Sequence, residues 1–201
     1  MKEQRTALRV PALLAAMLVL GLASCSVKTP AASQNAGYLQ SSWVKGYDNL
    51  AQLTADASMV AIGTVDGVLD VQQDKTGVQG DQAGGNLYHT LFAFRIETQL
   101  KGQPLSEISL SQTGAEGKPQ IADDPLFQIG HKYLLFLKTN SPGIYFDLGP
   151  WSRYEIVDQK AYSLNYTVGT KIYEAPPDLD FNGVDLDVLT STIEKSVHNA
   201  P

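Results

Sequence analysis

Apolar and polar residues alternate with a period of two along much of the chain, which predicts β-strands. The clearest case is Tyr88–Leu100, in which apolar side chains share one face and polar side chains such as His89 and Arg95 share the other. A strand with this pattern is half buried. Met59–Val65 is a second predicted strand, in which Gly63 marks a bulge or a close approach between backbones.

A run that is apolar on both faces predicts a central strand. His131–Lys138 has this character, which is typical of strands covered on both sides. Ile108 and Leu110 indicate a strand before it, and Gly143–Leu148 is predicted to pair with it across the turn Asn140–Pro142. Two shorter β segments are predicted after this hairpin, at Ser152–Val157 and Ala161–Val168.

Two helices are predicted to flank the strands. The first covers Tyr47–Ala57 with Asp48 as its N-terminal cap, and the second covers Asp185–Val197 with an apolar stripe at helical spacing. Between the first two strands, Gln72–Asn86 is rich in Gly, Gln and Asp and predicts a long mobile hairpin loop. Together these elements predict an all-β barrel with flanking helices.

Three segments resemble the netrin-like and TIMP-like OB-fold. Ala57–Val65 combines small residues with a glycine, Tyr88–Gly102 is a long strand ending in Lys-Gly, and Ile129–Leu137 contains Gly-x-x-Tyr-Leu-Leu-Phe. The resemblance covers Ser58–Val157, and the chain is also similar to uncharacterised exported bacterial proteins built on this frame. It implies a five-stranded, OB-fold-like closed barrel with an extra β-hairpin, a short N-terminal helix and a C-terminal amphipathic helix.

This resemblance carries over no mechanism. In the animal protease inhibitors of this fold, a free N-terminal cysteine chelates the zinc of the target protease, and disulfides hold that cysteine in place. Cys25 is the single cysteine of this chain and lies well upstream of the predicted barrel. A shared fold alone does not define an activity.

The N-terminal residues predict export followed by lipid attachment. A weakly basic start precedes the apolar stretch Val10–Ala23, which has fourteen residues. A membrane-spanning helix needs about 20 apolar residues, whereas the apolar region of a signal peptide has roughly 7–15. The stretch leads into Leu22, Ala23, Ser24 and Cys25, which resemble the lipobox of bacterial lipoproteins. The resemblance implies that Cys25 is diacylglycerated and becomes the mature N-terminus.

The predicted organisation is a signal peptide at 1–24, a flexible tether at 25–43 and a single domain at 44–201. Removing the signal removes three basic residues and one acidic residue, which takes the net charge from −6 to −8. A negative chain without a basic stripe argues against binding to nucleic acid. The predicted location is the extracytoplasmic face of the cell membrane, where two acyl chains give stable anchoring.

One segment has the beginning of a metal-binding pattern. Asp178, Asp180 and Asn182 place oxygen atoms at alternate positions before a glycine, as in the first half of a calcium loop. The second half does not fit, because Leu189 stands where a bidentate acid is needed. The alternative is a turn at Asn182 followed by Asp185 as the cap of the last helix. We therefore predict no cofactor and no metal beyond this candidate.

No other pattern specifies a reaction. The three histidines are far apart and lack metal-ligand spacing, and the chain has no Gly-x-Ser-x-Gly motif. The glycine-rich segment Gly77–Gly85 lacks the Lys-Ser/Thr of a phosphate-binding loop. Asp123 and Asp124 are adjacent acids, for which capping and solvation are a simpler explanation than acid–base chemistry. The chain is therefore not predicted to be an enzyme.

Aromatic residues near a predicted strand corner are the candidate binding surface. Trp151 and Tyr154 offer rigid contact area, and Arg153 between them adds a charged donor. The alternative is that these side chains close the open end of the barrel against the last helix.

The function expected from these observations is a membrane-anchored module that binds a protein or an envelope component. One alternative is a tethered inhibitor of an extracytoplasmic protease, which needs an exposed rigid loop, whereas the composition of Gln72–Asn86 favours flexibility. The other is an enzyme of unrecognised class, which needs an acid and a histidine that converge in a deep pocket.

Overall fold

The computed structural model describes residues 38–39, 46–73, 87–121, 124–164, 166–168, 171–173 and 175–198. The predicted signal peptide, the lipobox and Cys25 lie outside these residues. In chain order the elements are β1 (Tyr38–Leu39), α1 (Leu50–Asp56), β2 (Met59–Gln73), β3 (Tyr88–Lys101), β4 (Glu107–Thr113), β5 (Gln120–Ile121), β6 (Lys132–Ser141), β7 (Ile144–Asp147), β8 (Arg153–Val157), β9 (Lys160–Ser163), β10 (Tyr166–Val168), β11 (Lys171–Tyr173), β12 (Val184–Asp185) and α2 (Leu186–His198).

Five strands close into a barrel in the order β6-β2-β3-β4-β7 and back to β6. All neighbours in this ring are antiparallel except β4 and β7, which are parallel through Ser109 and Ile144. The all-β, OB-fold-like closed barrel with flanking helices is thus confirmed. One edge of β6 is divided, because Lys132–Leu135 pairs with β8 and Leu137–Ser141 pairs with β7. We call this change of partner strand along β6 the seam.

The central strand β6 separates two apolar cores, as its two-sided apolar pattern predicts. Tyr133, Leu135 and Leu137 face the barrel interior, where they join side chains of β2, β3 and β4. Leu134 and Phe136 face the opposite side, where α1 and α2 cover the sheet. The stripe of α2 is buried there as predicted, through the side chains of Leu186, Leu189 and Ile193.

α1 begins at Leu50 rather than at the predicted Tyr47, and its cap lies one residue later than predicted. The cap is Asn49 rather than Asp48, because Asn49 Oδ1 accepts the backbone N–H of Gln52 over 3.0 Å. Both residue types are good caps, so the pattern alone does not choose between them. At α2 the predicted cap is correct, since Asp185 Oδ1 accepts the N–H of Asp187 over 3.3 Å.

The strand β2 is longer than predicted and continues to Gln73, which pairs with Tyr88. Gly63 lies where predicted, at a close approach, because a Cβ atom there would be 2.1 Å from the carbonyl oxygen of Arg95. The first two residues of the predicted loop Gln72–Asn86 belong to β2, and residues 74–86 lie outside the described part. Bulges at 65–67 and 68–70 interrupt the alternation of apolar and polar residues along β2. The sequence pattern therefore predicts an end of the strand that is too early.

A second sheet region extends from β6 through β8 and β9 to β12. The hairpin between β8 and β9 turns at Asp158 and Gln159, both of which have positive φ, as a two-residue turn of type I′ requires. The segment predicted as the single strand Ala161–Val168 is divided, because β9 ends at Ser163 and a separate hairpin, β10–β11, begins at Tyr166.

Candidate functional site

An open apolar groove lies at the end of the barrel where β2 leaves and β6 enters. Its volume is about 320 Å³. Val68 and Val71 form one wall and Leu126–Ile129 forms the other, while Phe92 lies between them. The exposed fractions of Val68, Val71 and Ile129 are 49%, 48% and 59%. The remaining lining residues are Thr90 and Glu116. We call this feature the barrel-end groove.

A bulge in β2 brings both valines to the barrel-end groove. Val71 lies three positions after Val68, so a regular strand would point their side chains to opposite faces. In the structure Val68 pairs with Phe92 and Val71 pairs with Thr90, and Leu69 is the extra residue between them. The side chains of Phe92 and Thr90 lie on one face of the sheet. The side chains of Val68 and Val71, which lie opposite them, are therefore on that same face.

Aromatic rings form the floor of the barrel-end groove. Phe92 and Phe127 meet edge to face with ring centroids 5.7 Å apart, and Phe127 meets Tyr133 in the same way at 5.3 Å. Such pairs stabilise one arrangement of the rings beyond the area that they bury. The floor therefore continues directly into the barrel core.

The wall formed by Leu126–Ile129 has no regular secondary structure, and side chains fix its backbone instead. Gln112 Nε2 donates to Asp124 Oδ1 over 2.7 Å and to the Pro125 carbonyl over 2.9 Å, while Gln112 Oε1 accepts the N–H of Phe127 over 2.9 Å. The N–H of Gln128 donates to the Tyr133 hydroxyl over 3.2 Å. Burial raises the pKa of that hydroxyl, so Tyr133 remains neutral. These bonds hold the stretch from Asp124 to Gln128 at four residues.

Arg153 lies beneath this wall with only 1% of its side chain exposed. Its Nη2 donates to Asp124 Oδ1 over 2.5 Å, and its Cζ lies 4.2 Å from the centroid of the Phe127 ring. Its Nε is 3.8 Å from Asp147 Oδ2 at the end of β7. One guanidinium therefore connects the start of β8, the end of β7 and the groove wall, which is the position of the seam.

Asp147 is the second carboxylate near this guanidinium. Burial removes water from the carboxylate and raises the pKa of Asp147, and the charge of Asp124 acts in the same direction. Arg153 and the N–H of Gly149 oppose the shift but do not cancel it. The seam therefore contains a carboxylate that holds its proton more strongly than an exposed aspartate does.

The predicted binding residues Trp151, Arg153 and Tyr154 are not exposed together. Arg153 faces the seam, and Tyr154 is fully buried between Phe136 and Phe181. The Tyr154 hydroxyl lies 2.8 Å from the Trp151 carbonyl oxygen, and Trp151 packs, partly buried, against the core beneath the helices. This placement fits the alternative interpretation, in which the aromatic side chains close the domain against its last helix.

The calcium candidate forms a turn. Asp180 Oδ1 accepts the N–H of Asn182 over 3.3 Å, and Gly183 follows with a φ of 73°. Asp178 lies in a short 3₁₀ turn before them. Within the described ranges, no group of three or more His, Cys, Asp or Glu side chains is close enough to hold a metal ion.

The remaining titratable candidates are separate from the groove lining. His131 Nδ1 is 2.5 Å from Glu155 Oε1 at the surface, and His198 Nδ1 lies 2.9 Å from a carbonyl oxygen of α2. Asp124 is part of the buried network, and Asp123 lies outside the described residues.

Sequence reasoning missed Gln112, which is central to the groove wall. Ile108 and Leu110, which predicted this strand, are buried on its inward face, and the same period of two continues to Gln112. A polar residue at a predicted inward position indicates a buried hydrogen-bond network. That signal was present in the sequence.

No helix among the described residues is both long enough and apolar enough to cross a membrane. No protein-family model matches this chain, and no curated protein sequence does.

Proposed function

We propose that this chain is a lipid-anchored binding module of the cell envelope that presents the barrel-end groove to a protein partner. The observation that carries the proposal is the exposure of Val68, Val71 and Ile129 around a floor of aromatic rings. Contiguous exposed apolar surface with a concave shape is typical of interaction sites.

The rigidity of the barrel-end groove supports binding. One wall lies on the paired strands β2 and β3, and the other is fixed by Gln112 and Tyr133. A site whose walls are ordered before the partner arrives loses less conformational entropy on binding. The groove is therefore suited to a partner that inserts apolar side chains.

The chemistry of the lining favours binding over catalysis. Among the described lining residues, Glu116 is the one with a titratable side chain, and the others offer aliphatic, aromatic, hydroxyl or amide groups. General acid–base catalysis needs a positioned group with its partner. The groove offers contact area and one negative charge.

The lipobox resemblance at Leu22–Cys25 supports the location. A diacylglycerated Cys25 would hold the domain at the extracytoplasmic face of the membrane. Of the predicted tether at 25–43, Tyr38 and Leu39 form β1 and pair with β5. The residues before β1, 25–37, would let the domain reach partners near that surface.

Site-specific photo-cross-linking in cells that naturally make the protein tests this proposal. A photoreactive amino acid is placed in the groove at Val68 or Val71, and at the equally exposed Val157 or Val188 as controls. We expect a discrete adduct from the groove positions and none from the controls. The same adduct from all four positions, or none from the groove, contradicts the proposal. An adduct with an extracytoplasmic protease that the chain inhibits would establish the tethered inhibitor instead.

A further inference from the structure

The barrel-end groove lies beside a backbone edge that no described strand covers. β6 pairs with β2 as far as Thr64. At the next residue, Val65, the backbone groups that point away from β3 bond the residues just before β6. The Val65 N–H donates to the His131 carbonyl over 3.1 Å, and the Val65 carbonyl accepts the N–H of Gly130 over 2.7 Å. Beyond Val65, no described strand pairs with this edge up to Gln73. Such an edge is a ready template for an added strand.

The direction of the backbone groups along this edge follows from the ladder. Residues of an antiparallel pair alternate between bonding the partner strand and pointing away from it. The backbone N–H and carbonyl of Val65, which lies opposite Phe94, point away from β3. By the same alternation, the backbone groups of Val68, Val71 and Gln73 also point away from β3. These three residues lie opposite Phe92, Thr90 and Tyr88. Because the bulges absorb the extra residues of β2, these outward groups lie opposite every second residue of β3, as in a regular ladder.

The composition of this edge indicates the charge of its partner. Residues 66–73 read Asp-Gly-Val-Leu-Asp-Val-Gln-Gln and contain neither lysine nor proline, which are common protections of edge strands. Asp70 forms no ion pair with a described side chain, and its Oδ1 accepts the N–H of Val71 over 2.8 Å. Asp70 lies opposite Leu91, on the face away from the groove. The edge is therefore apolar on the groove face, and Asp70 places a carboxylate on the other face, whereas Asp66 pairs with Arg95 over 2.9 Å.

We infer that the partner presents an extended segment with alternating aliphatic and basic residues, which adds as a strand to β2 between Asp66 and Gln73. This inference rests on the proposed function. The aliphatic side chains enter the barrel-end groove beside Val68 and Val71, and the basic side chains face Asp70. The partner's backbone bonds the outward groups of β2, after displacing the Asp70 carboxylate from the N–H of Val71. A second copy of this chain fits poorly, because its own edge would bring acid against acid.

A defined peptide tests the inference against the full chain in detergent. The probe is a fluorescent eight-residue peptide that alternates lysine and valine. One control keeps every side chain but methylates the backbone nitrogens that would bond β2, and another replaces lysine with glutamate. Fluorescence anisotropy measures binding to the wild type and to Val71→Asp, Asp70→Asn and Val157→Asp. Val157 is as exposed as Val71 but lies on β8.

The expected result is saturable binding that weakens at least about tenfold on N-methylation and on Val71→Asp, and is unchanged by Val157→Asp. The glutamate peptide and Asp70→Asn are expected to weaken it several-fold. If the N-methylated peptide binds as tightly as its parent while Val71→Asp still abolishes binding, strand addition is wrong and the groove remains the binding site. If Val71→Asp and Val157→Asp behave alike, both the inference and the proposed function fail. If the wild type binds no probe, the inference is overturned, and cross-linking alone decides the proposed function.

Discussion

The guanidinium of Arg153 donates to Oδ1 of Asp124 over 2.5 Å, with 1% and 5% of the two side chains exposed. The contact fastens the segment before β6 to the start of β8, at the seam where β6 changes its partner strand. The same guanidinium packs on Phe127 in the groove floor. The closure of the barrel and the shape of the barrel-end groove therefore depend on one buried side chain.

Replacing Arg153 with methionine is expected to lower the free energy of unfolding by about 3–5 kcal/mol, because the buried carboxylate of Asp124 would lose its cation. Urea unfolding followed by tryptophan fluorescence measures this. Lys138→Met is the matched control, since Lys138 pairs with Asp56 over 2.8 Å at a half-exposed site, and such pairs contribute less than about 1 kcal/mol. Equal losses in the two variants would show that burial of the Arg153 pair has no special role.

Ionisation of Asp147 is expected to lower the free energy of unfolding as pH rises. Burial raises its pKa from 3.8 to about 7 in the folded state, so between these values the folded chain holds a proton that the unfolded chain has released. The free energy of unfolding then decreases with pH across this window and levels off above it. Asp147→Asn cannot ionise, and it should gain stability relative to the wild type from about pH 4 to about pH 8.

Urea midpoints of both proteins across that range measure the difference. Comparing the pair removes the contribution of other carboxylates, such as Glu97, whose pKa is lowered mainly by its bond from Lys132. A wild-type-to-variant difference that stays constant with pH would mean that Asp147 does not titrate in this window.

Gln112→Leu is expected to loosen the groove wall. The leucine keeps the apolar part of the side chain but leaves the N–H of Phe127 and the carbonyl of Pro125 without their partner, which costs about 1–3 kcal/mol. Hydrogen exchange with mass spectrometry should show faster exchange in residues 124–130 and unchanged exchange in the β8–β9 hairpin. A uniform increase across the chain would indicate general destabilisation instead.

Cys25→Ala tests the lipid anchor. In a lipidating bacterium, the wild type is expected to be cleaved before Cys25, to carry the mass of a diacylglyceryl group and to partition with the membrane. The variant should lack all three properties. Intact mass and cell fractionation measure this, and an unacylated wild type released into the soluble fraction would contradict the lipobox interpretation.

The sequence predicts the barrel well because most of its strands keep a strict period. On β3, Phe92 and Phe94 are buried and alternate with the less buried Leu91 and Ala93. On β6, Leu134 and Leu135 fill opposite cores. The candidate site was harder to predict. The bulge at Leu69 shifts the period and makes the distal part of β2 resemble a loop.

Arg153 shows the other limit of pattern reasoning. Its charge predicted a surface position, but the side chain is buried against Asp124. Asp124 lies 29 residues earlier in the sequence, in a segment whose polar residues also predict exposure. A buried ion pair is defined by tertiary contacts between distant segments, and neither residue type is common inside proteins unless it is paired. Spacing along the chain carries no signal for such a pair.

The most direct test of the account is the affinity of the cross-linked partner for three proteins: the wild type, Val71→Asp and Val157→Asp. Surface plasmon resonance on equally folded samples measures it. If the barrel-end groove is the binding site, Val71→Asp should bind at least about tenfold more weakly than the wild type, while Val157→Asp binds as the wild type does. If Val71→Asp retains wild-type affinity, the groove is not the binding site.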